Sequence, residues 1–164
     1  MKKLFLLALA CVGFVATSNA QEISENAIGL RLGDSKGFGA EVTYQRAVFE
    51  TNRIEIDLGI KDSRHYDGFK LAGIYQWVWN IDGGFNWYAG PGAGFGAYKH
   101  YKYKEYYGQR DSFVFLSGNV GIEYKFDFPL LLSFDVRPEF GLGDERYDND
   151  DLDFDVGISA RYTF

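Results

Sequence analysis

The stretch LDFDVGISARYTF, Leu152 to Phe164, alternates without a break. Leu152, Phe154, Val156, Ile158, Ala160, Tyr162 and Phe164 take the even positions, and Asp153, Asp155, Gly157, Ser159, Arg161 and Thr163 the odd ones. Successive side chains leave a pleated strand on opposite faces, so this period predicts a β-strand with one apolar face and one polar face. The pattern occurs eight times. It sets Ile28, Leu30 and Leu32 against Arg31, and Phe38, Ala40, Val42 and Tyr44 against Gly39, Glu41, Thr43 and Gln45. Ile54, Ile56, Leu58 and Ile60 alternate with Arg53, Glu55, Asp57, Gly59 and Lys61, and Phe69, Leu71, Tyr75, Trp77 and Trp79 stand opposite Lys70, Ala72 and Gln76. Trp87 to Phe95 alternates with Tyr88 and the row Gly90, Gly92, Gly94 and Gly96. Leu116 to Phe126 opposes Ser117, Asn119, Gly121, Glu123 and Lys125, and Leu130 to Leu142 opposes Ser133, Asp135, Arg137, Glu139 and Gly141. No helical period of comparable length competes, which makes the chain all-β with eight strands.

The expected connections alternate in length. Residues 49–52, 80–86 and 127–129 are short turns, whereas 62–68, 99–112 and 144–151 are longer and polar. That is the pattern of an eight-stranded antiparallel up-and-down transmembrane β-barrel, with short turns at one end and longer loops at the other. A lipocalin-like carrier has the same period with its apolar face inward. Three features favour apolar side chains outward. Glycine weakens a strand and does nothing for a wetted surface, yet makes room in a crowded lumen. Trp77, Trp79, Trp87, Tyr124, Phe126, Tyr162 and Phe164 gather at strand ends beside the short turns, where an aromatic girdle meets a bilayer interface. Between those ends the apolar faces carry almost no charge, as hydrocarbon requires. In hydrocarbon every backbone group must pair internally, so the first strand is expected to close on the eighth.

The N-terminal end supplies a compartment. Met1 to Lys3 is basic, Leu4 to Ala16 is an apolar run too short to span a bilayer, and Ser18, Asn19 and Ala20 suit a signal peptidase. Residues 1–20 are expected to be a signal peptide, with residues 21–164 the barrel domain. Cys11 lies inside the leader, in a poor lipoprotein box, so the mature chain would lack thiolate chemistry and disulfides. Loss of the two leader lysines moves the formal charge from −6 to −8, which argues against nucleic acid as a partner.

With its signal peptide, eight amphipathic strands, the segment GIEYKFDFPLLLSFDVRPEF (Gly121 to Phe140) and the terminal ISARYTF, the chain resembles the small outer-membrane β-barrel proteins of Gram-negative bacteria, the OmpA-barrel, OmpX and OmpW-like group. The resemblance implies an outer-membrane address. It implies that Tyr162 and Phe164 form the signal read by the outer-membrane insertion machinery, and that lipids and lipopolysaccharide are the surroundings of a monomer. Members range from anchors to adhesins to lipid enzymes, so function is not implied.

Eight strands leave an interior that side chains can just fill. The inward register carries Arg31, Arg53, Lys61, Lys70, Lys125, Arg137 and Arg161 against Glu41, Glu55, Asp57, Glu123, Asp135, Glu139, Asp153 and Asp155. Near-balance of charge predicts a lumen network of Arg31, Glu41, Arg53, Glu55, Asp57, Lys70, Glu123, Lys125, Asp135, Arg137, Glu139, Asp155 and Arg161, and no wide pore. A narrow solute path is the alternative. Catalytic, cofactor and metal sites are not expected. His65 and His100 lack the His-x-Ser pattern of the family's lipid A deacylases, Ser63, His65 and Asp67 lack an elbow and oxyanion donors, and the glycine row lacks a following helix. The acidic stretch Asp144 to Asp151 lacks the Gly and closing Glu of an EF-hand.

Recognition would fall to the outer loops. Tyr101, Lys102, Tyr103, Tyr106 and Tyr107 form the candidate surface loop, with lysines meeting lipopolysaccharide phosphates or tyrosines offering an adhesive edge. Pro91 and Pro138 fall within strands on the lipid-facing register, so pairing around strand six is expected to weaken, either as a tolerated irregularity or as a lateral opening for small apolar molecules. Two function classes result: a non-enzymatic barrel with a structural or surface-interaction role, and a transporter of small hydrophobic or ionic solutes.

Overall fold

The computed structural model describes residues 23–35, 38–63, 66–100, 109–142 and 152–164. The leader, the loop residues Tyr101 to Tyr107, His65 and the acidic stretch 144–151 lie outside them. Eight strands follow in order: β1 (Asn26–Ser35), β2 (Phe38–Phe49), β3 (Asn52–Ser63), β4 (Tyr66–Asp82), β5 (Phe85–His100), β6 (Gln109–Lys125), β7 (Leu130–Leu142) and β8 (Asp153–Thr163). Each pairs antiparallel with the next, and β8 pairs with β1, so the sheet is a closed barrel. The seam is clasped where Asn26 N–H donates to the Phe164 carbonyl at 3.1 Å and Phe164 N–H donates to that of Asn26 at 3.0 Å.

Registers fix the barrel's dimensions. Ala27 pairs with Thr163 across the seam. Going the other way round, Ala27 leads through Gln45, Glu55, Ile74, Gly92, Ser117 and Glu139 to Asp153. The two routes meet β8 ten residues apart. With strands ~4.8 Å apart and ~3.3 Å per residue, that stagger tilts the strands by about 40°.

Alternation of side chains sorts the barrel into two environments. Ile28, Leu30, Leu32, Ile54, Ile56, Leu58, Phe69, Leu116, Phe134, Val156 and Ile158 stand exposed on the outer wall. Arg31, Arg137 and Arg161 are among the most deeply buried side chains, on the inside. A water-soluble barrel has the reverse arrangement.

The hairpins at the long-loop end run further than the sequence reading anticipates. The described residues of 62–68 are all ladder, with Asp62 opposite Asp67 and Ser63 opposite Tyr66. Likewise β5 and β6 stay paired out to His100 and Gln109, shortening the expected 99–112 loop. Backbone pairing needs no apolar face, so a strand can continue after its two-faced pattern has ended. At the other end, residues 80–86 contract to a two-residue turn. Asp82 faces Phe85, and Gly83 adopts φ 51°, the positive value that the first central position of such a turn demands.

Candidate functional site in the lumen

The inward row of glycines provides seats for large neighbours. A Cβ on Gly96 would lie 2.5 Å from the Phe113 ring, one on Gly121 2.5 Å from the Tyr88 hydroxyl, and one on Gly157 2.5 Å from the Arg31 guanidinium carbon. Phe115 overlies Gly94 in the same way. Each glycine removes a side chain so that a ring or guanidinium can lie flat across the wall. The lumen is therefore less polar than its register of charges suggests: Tyr88, Ile74, Val78, Phe113, Phe115 and Leu131 also point inward and are buried.

Charged groups fill the rest in three tiers. Nearest the short turns, Arg53 donates to both Glu123 oxygens at 3.0 and 2.7 Å and to Gln76 at 2.6 Å, with its guanidinium 4.8 Å from the Tyr88 ring centre. Beside it Arg161 donates to Glu55 at 2.9 Å, Ser133 at 2.7 Å and Thr43 at 3.1 Å, while Gln45 donates to the same Glu55 oxygen. The middle tier has two guanidiniums. Arg31 reaches Asp135 at 2.6 Å, Asp155 at 2.6 Å and Glu41 at 3.3 Å. Arg137 reaches Glu41 at 2.7 Å, Asp57 at 2.8 Å and Asp155 at 2.9 Å. Toward the long-loop end Lys70 donates to Glu139 at 2.5 Å and lies 4.8 Å from the Phe115 ring centre. Bridges between strands far apart in sequence, such as Arg31 with Asp135 and Arg53 with Glu123, link one part of the wall to another through the lumen.

Twelve of the thirteen residues assigned to the network from sequence are buried, and Lys125 is the exception, partly exposed at the short-turn mouth. Asp153 is also only partly buried, and Lys61 has no described side chain. What the register alone does not reveal is the set of neutral partners: Thr43, Gln45, Gln76, Asn86, Asn119 and Ser133 each bond a charged or amide side chain. Their signal is their position on the charged face of the same strands.

Aromatic side chains collect at the short-turn rim. Trp79 stacks on Trp87 with centroids 4.3 Å apart, Trp77 packs edge-on to Tyr75, Tyr124 contacts Phe85 and Phe126, and Tyr162 lies over Phe164. The rim continues where sequence reading did not place it. Tyr44 donates to Asn26 at 2.7 Å, and Asn52 donates to Tyr75 at 2.5 Å, two tyrosine–asparagine pairs on the β1 to β4 side.

The prolines correct one expectation. Pro91 is paired with Gly118 on β6, so it does not weaken that ladder. The break is on its other side, where the β4–β5 ladder skips from Ile74/Gly92 to Trp77/Ala89. Pro138 does break pairing with β6, where the ladder skips from Ser117/Glu139 to Val120/Val136. A proline nitrogen carries no hydrogen, so each proline can spoil only the ladder toward which that nitrogen points.

Among solved structures, the N-terminal β-barrel domain of OprF from Pseudomonas aeruginosa is similar at 12% identity, with a TM-score of 0.66 over 88% of this chain and all of that one. Neisserial surface protein A is similar at 11% identity, with a TM-score of 0.56 over 85% of this chain and 94% of that one. This chain has their fold. No protein family model and no curated protein matches it in sequence. At such identities the shared property is the eight-stranded closed barrel itself, and the lumen must be read from its own residues.

Proposed function

We propose that the chain is a non-enzymatic integral protein of a Gram-negative outer membrane, with a structural or surface-interaction role and a lumen that does not conduct freely. The observation that carries this reading is the inverted barrel: a continuous apolar outer wall around a charged interior bridged from wall to wall. A tilted strand of about ten residues spans a bilayer core, and closure leaves no strand edge to face lipid. The aromatic rim sits where an interfacial girdle belongs, on the side of the short turns. The resemblance to small outer-membrane barrels supports the same address, with lipid and lipopolysaccharide around a monomer and the insertion machinery as its assembly partner. Surface recognition would rest with the loops at the opposite end.

The test is fractionation with gel mobility. The protein should partition with outer membranes and migrate differently in SDS before and after boiling. Recovery in the soluble periplasm without detergent overturns the reading. Planar-bilayer recording of refolded protein should show a quiet membrane, and steady discrete channels would replace the closed lumen with a pore.

A second reading, a lateral exit for small apolar molecules, draws on the ladder breaks at Pro91 and Pro138. Replacing both prolines with Val should abolish uptake of hydrophobic solutes if these breaks serve as a gate. Unchanged uptake removes that reading.

A further inference from the structure

Charge is nearly absent from the outward register of the wall. Among the described residues, its short-turn half carries a single charged side chain, Arg46 on β2. Arg46 pairs across the ladders with Asn26 on β1 and Ile54 on β3, and Ile54 pairs with Tyr75 on β4, so it stands level with the aromatic rim. The Arg46 side chain is exposed and makes no hydrogen bond or ion pair with a described residue. It borders a hollow of about 200 Å³ whose other lining residues are Glu25, Asn26, Ala47, Val48 and Phe49. Two bonds shape that hollow. Ala47 N–H donates to the Glu25 carbonyl at 2.8 Å, which holds Glu25 against β2. Tyr44 donates to Asn26 Oδ1 at 2.7 Å, which fixes the Asn26 amide, and the NH2 group of that amide bonds to no described residue. The Glu25 carboxylate is exposed as well, and it forms no ion pair with Arg46.

One hollow therefore holds a guanidinium and an amide that can donate, together with a carboxylate that neither of them engages. A guanidinium forks onto phosphate oxygens, and at the level of an interfacial girdle the anions it meets are lipid phosphates. The carboxylate disfavours a purely anionic ligand and suits one that also carries an ammonium. We propose that this hollow binds the headgroup of one phospholipid of the phosphoethanolamine type, its phosphate on Arg46 and the Asn26 amide and its ammonium on Glu25. The wall above has a place for the acyl chains. Leu30, four residues further along β1, borders an apolar groove of about 570 Å³ where the small Ala160 stands between Leu30 and Leu132. Four residues of strand cover about 13 Å, within the depth of one leaflet of a core ~30 Å thick. This rests on the outer-membrane reading, which sets the short-turn rim in a lipid leaflet.

The experiment releases refolded barrel into a mass spectrometer from micelles doped with phosphatidylethanolamine, phosphatidylcholine or phosphatidylglycerol of equal chain length, and counts the lipid retained. Heat-shifted gel mobility checks independently that the barrel is formed. The native protein should retain one phosphatidylethanolamine about tenfold more readily than phosphatidylcholine, whose methylated nitrogen has no hydrogen to donate to Glu25. Arg46→Gln should lower retention of all three lipids by about tenfold, the scale of one charge-assisted hydrogen bond. Glu25→Gln should keep phosphate binding and erase the preference for phosphatidylethanolamine over phosphatidylcholine. Should either variant fail to fold, the native protein's ranking of the three lipids still decides. Equal retention of all three by the native protein overturns the proposal. So does a preference that survives in Glu25→Gln, retention that Arg46→Gln leaves unchanged, or displacement of phosphatidylethanolamine by lipopolysaccharide. A heat-shifting barrel without the ranking overturns the proposal and leaves the outer-membrane reading standing, whereas recovery as a soluble protein without detergent removes both.

Discussion

Arg137 shows how unevenly stabilisation is distributed among the residues of the lumen. Its guanidinium contacts Glu41, Asp57 and Asp155 directly, and its Nε lies 3.1 Å from Glu139. Removing one partner of a buried ionic cluster strands the others, at a cost of about 3–5 kcal/mol. Arg137→Ala should therefore lower barrel stability by that order in a urea titration. Truncation of an outward, exposed residue, such as Val156→Ala, should cost far less in a bilayer, because lipid fills the space. Glycine seats give a second prediction. Gly121→Ala places a methyl against the Tyr88 ring and should destabilise by about 1–3 kcal/mol. Adding Tyr88→Leu should recover part of the loss, a non-additivity that a double-mutant cycle would register. Charges and glycines on the inward register were legible in the sequence because period two puts them there. Which carboxylate meets which arginine was not, because Arg31 and Asp135 are 104 positions apart and their meeting depends on the stagger.

Strand by strand, the eight alternating segments were readable in sequence wherever one face is apolar and the other polar. They became unreadable at the far ends of the hairpins, as where Asp62 pairs with Asp67 and Ser63 with Tyr66 without an alternating pattern. The prolines illustrate another limit: sequence places them on the outward face, but only the pairing tells which ladder each one interrupts. Hydrogen exchange of the refolded protein should show faster exchange beside the two breaks, near Tyr75 and Gly118, than in the unbroken centre of the β2–β3 ladder. Uniform protection across all ladders would mean that water or strand bending re-pairs these groups. For β8, Phe164 contributes to closure as well as to the aromatic rim, since it exchanges two backbone bonds with Asn26 and stacks with Tyr162. Deleting Phe164 should reduce outer-membrane levels more than any change confined to a loop, and quantitative blotting of membrane fractions would detect it.

For the whole molecule, the outer apolar band and the inner charge lattice are two consequences of a single alternation. The band should match an outer-membrane core of about 25 Å, so refolding yield is expected to peak in bilayers of that thickness and fall in thicker ones. A yield that rises steadily with thickness would contradict the assigned belt. Because the ion pairs are enclosed, added impermeant salt should change stability little, unlike a protein held by surface pairs.

The ten-residue stagger has a further consequence. Inward and outward positions must match when the sheet closes, so the offset can change only by two residues at a time; a slip of one would turn arginines to lipid. Antiparallel closure likewise admits strands only in pairs. The bore of such a cylinder is therefore quantised. No run of small substitutions can widen it gradually, and a wider bore takes a discrete jump in stagger or in strand number.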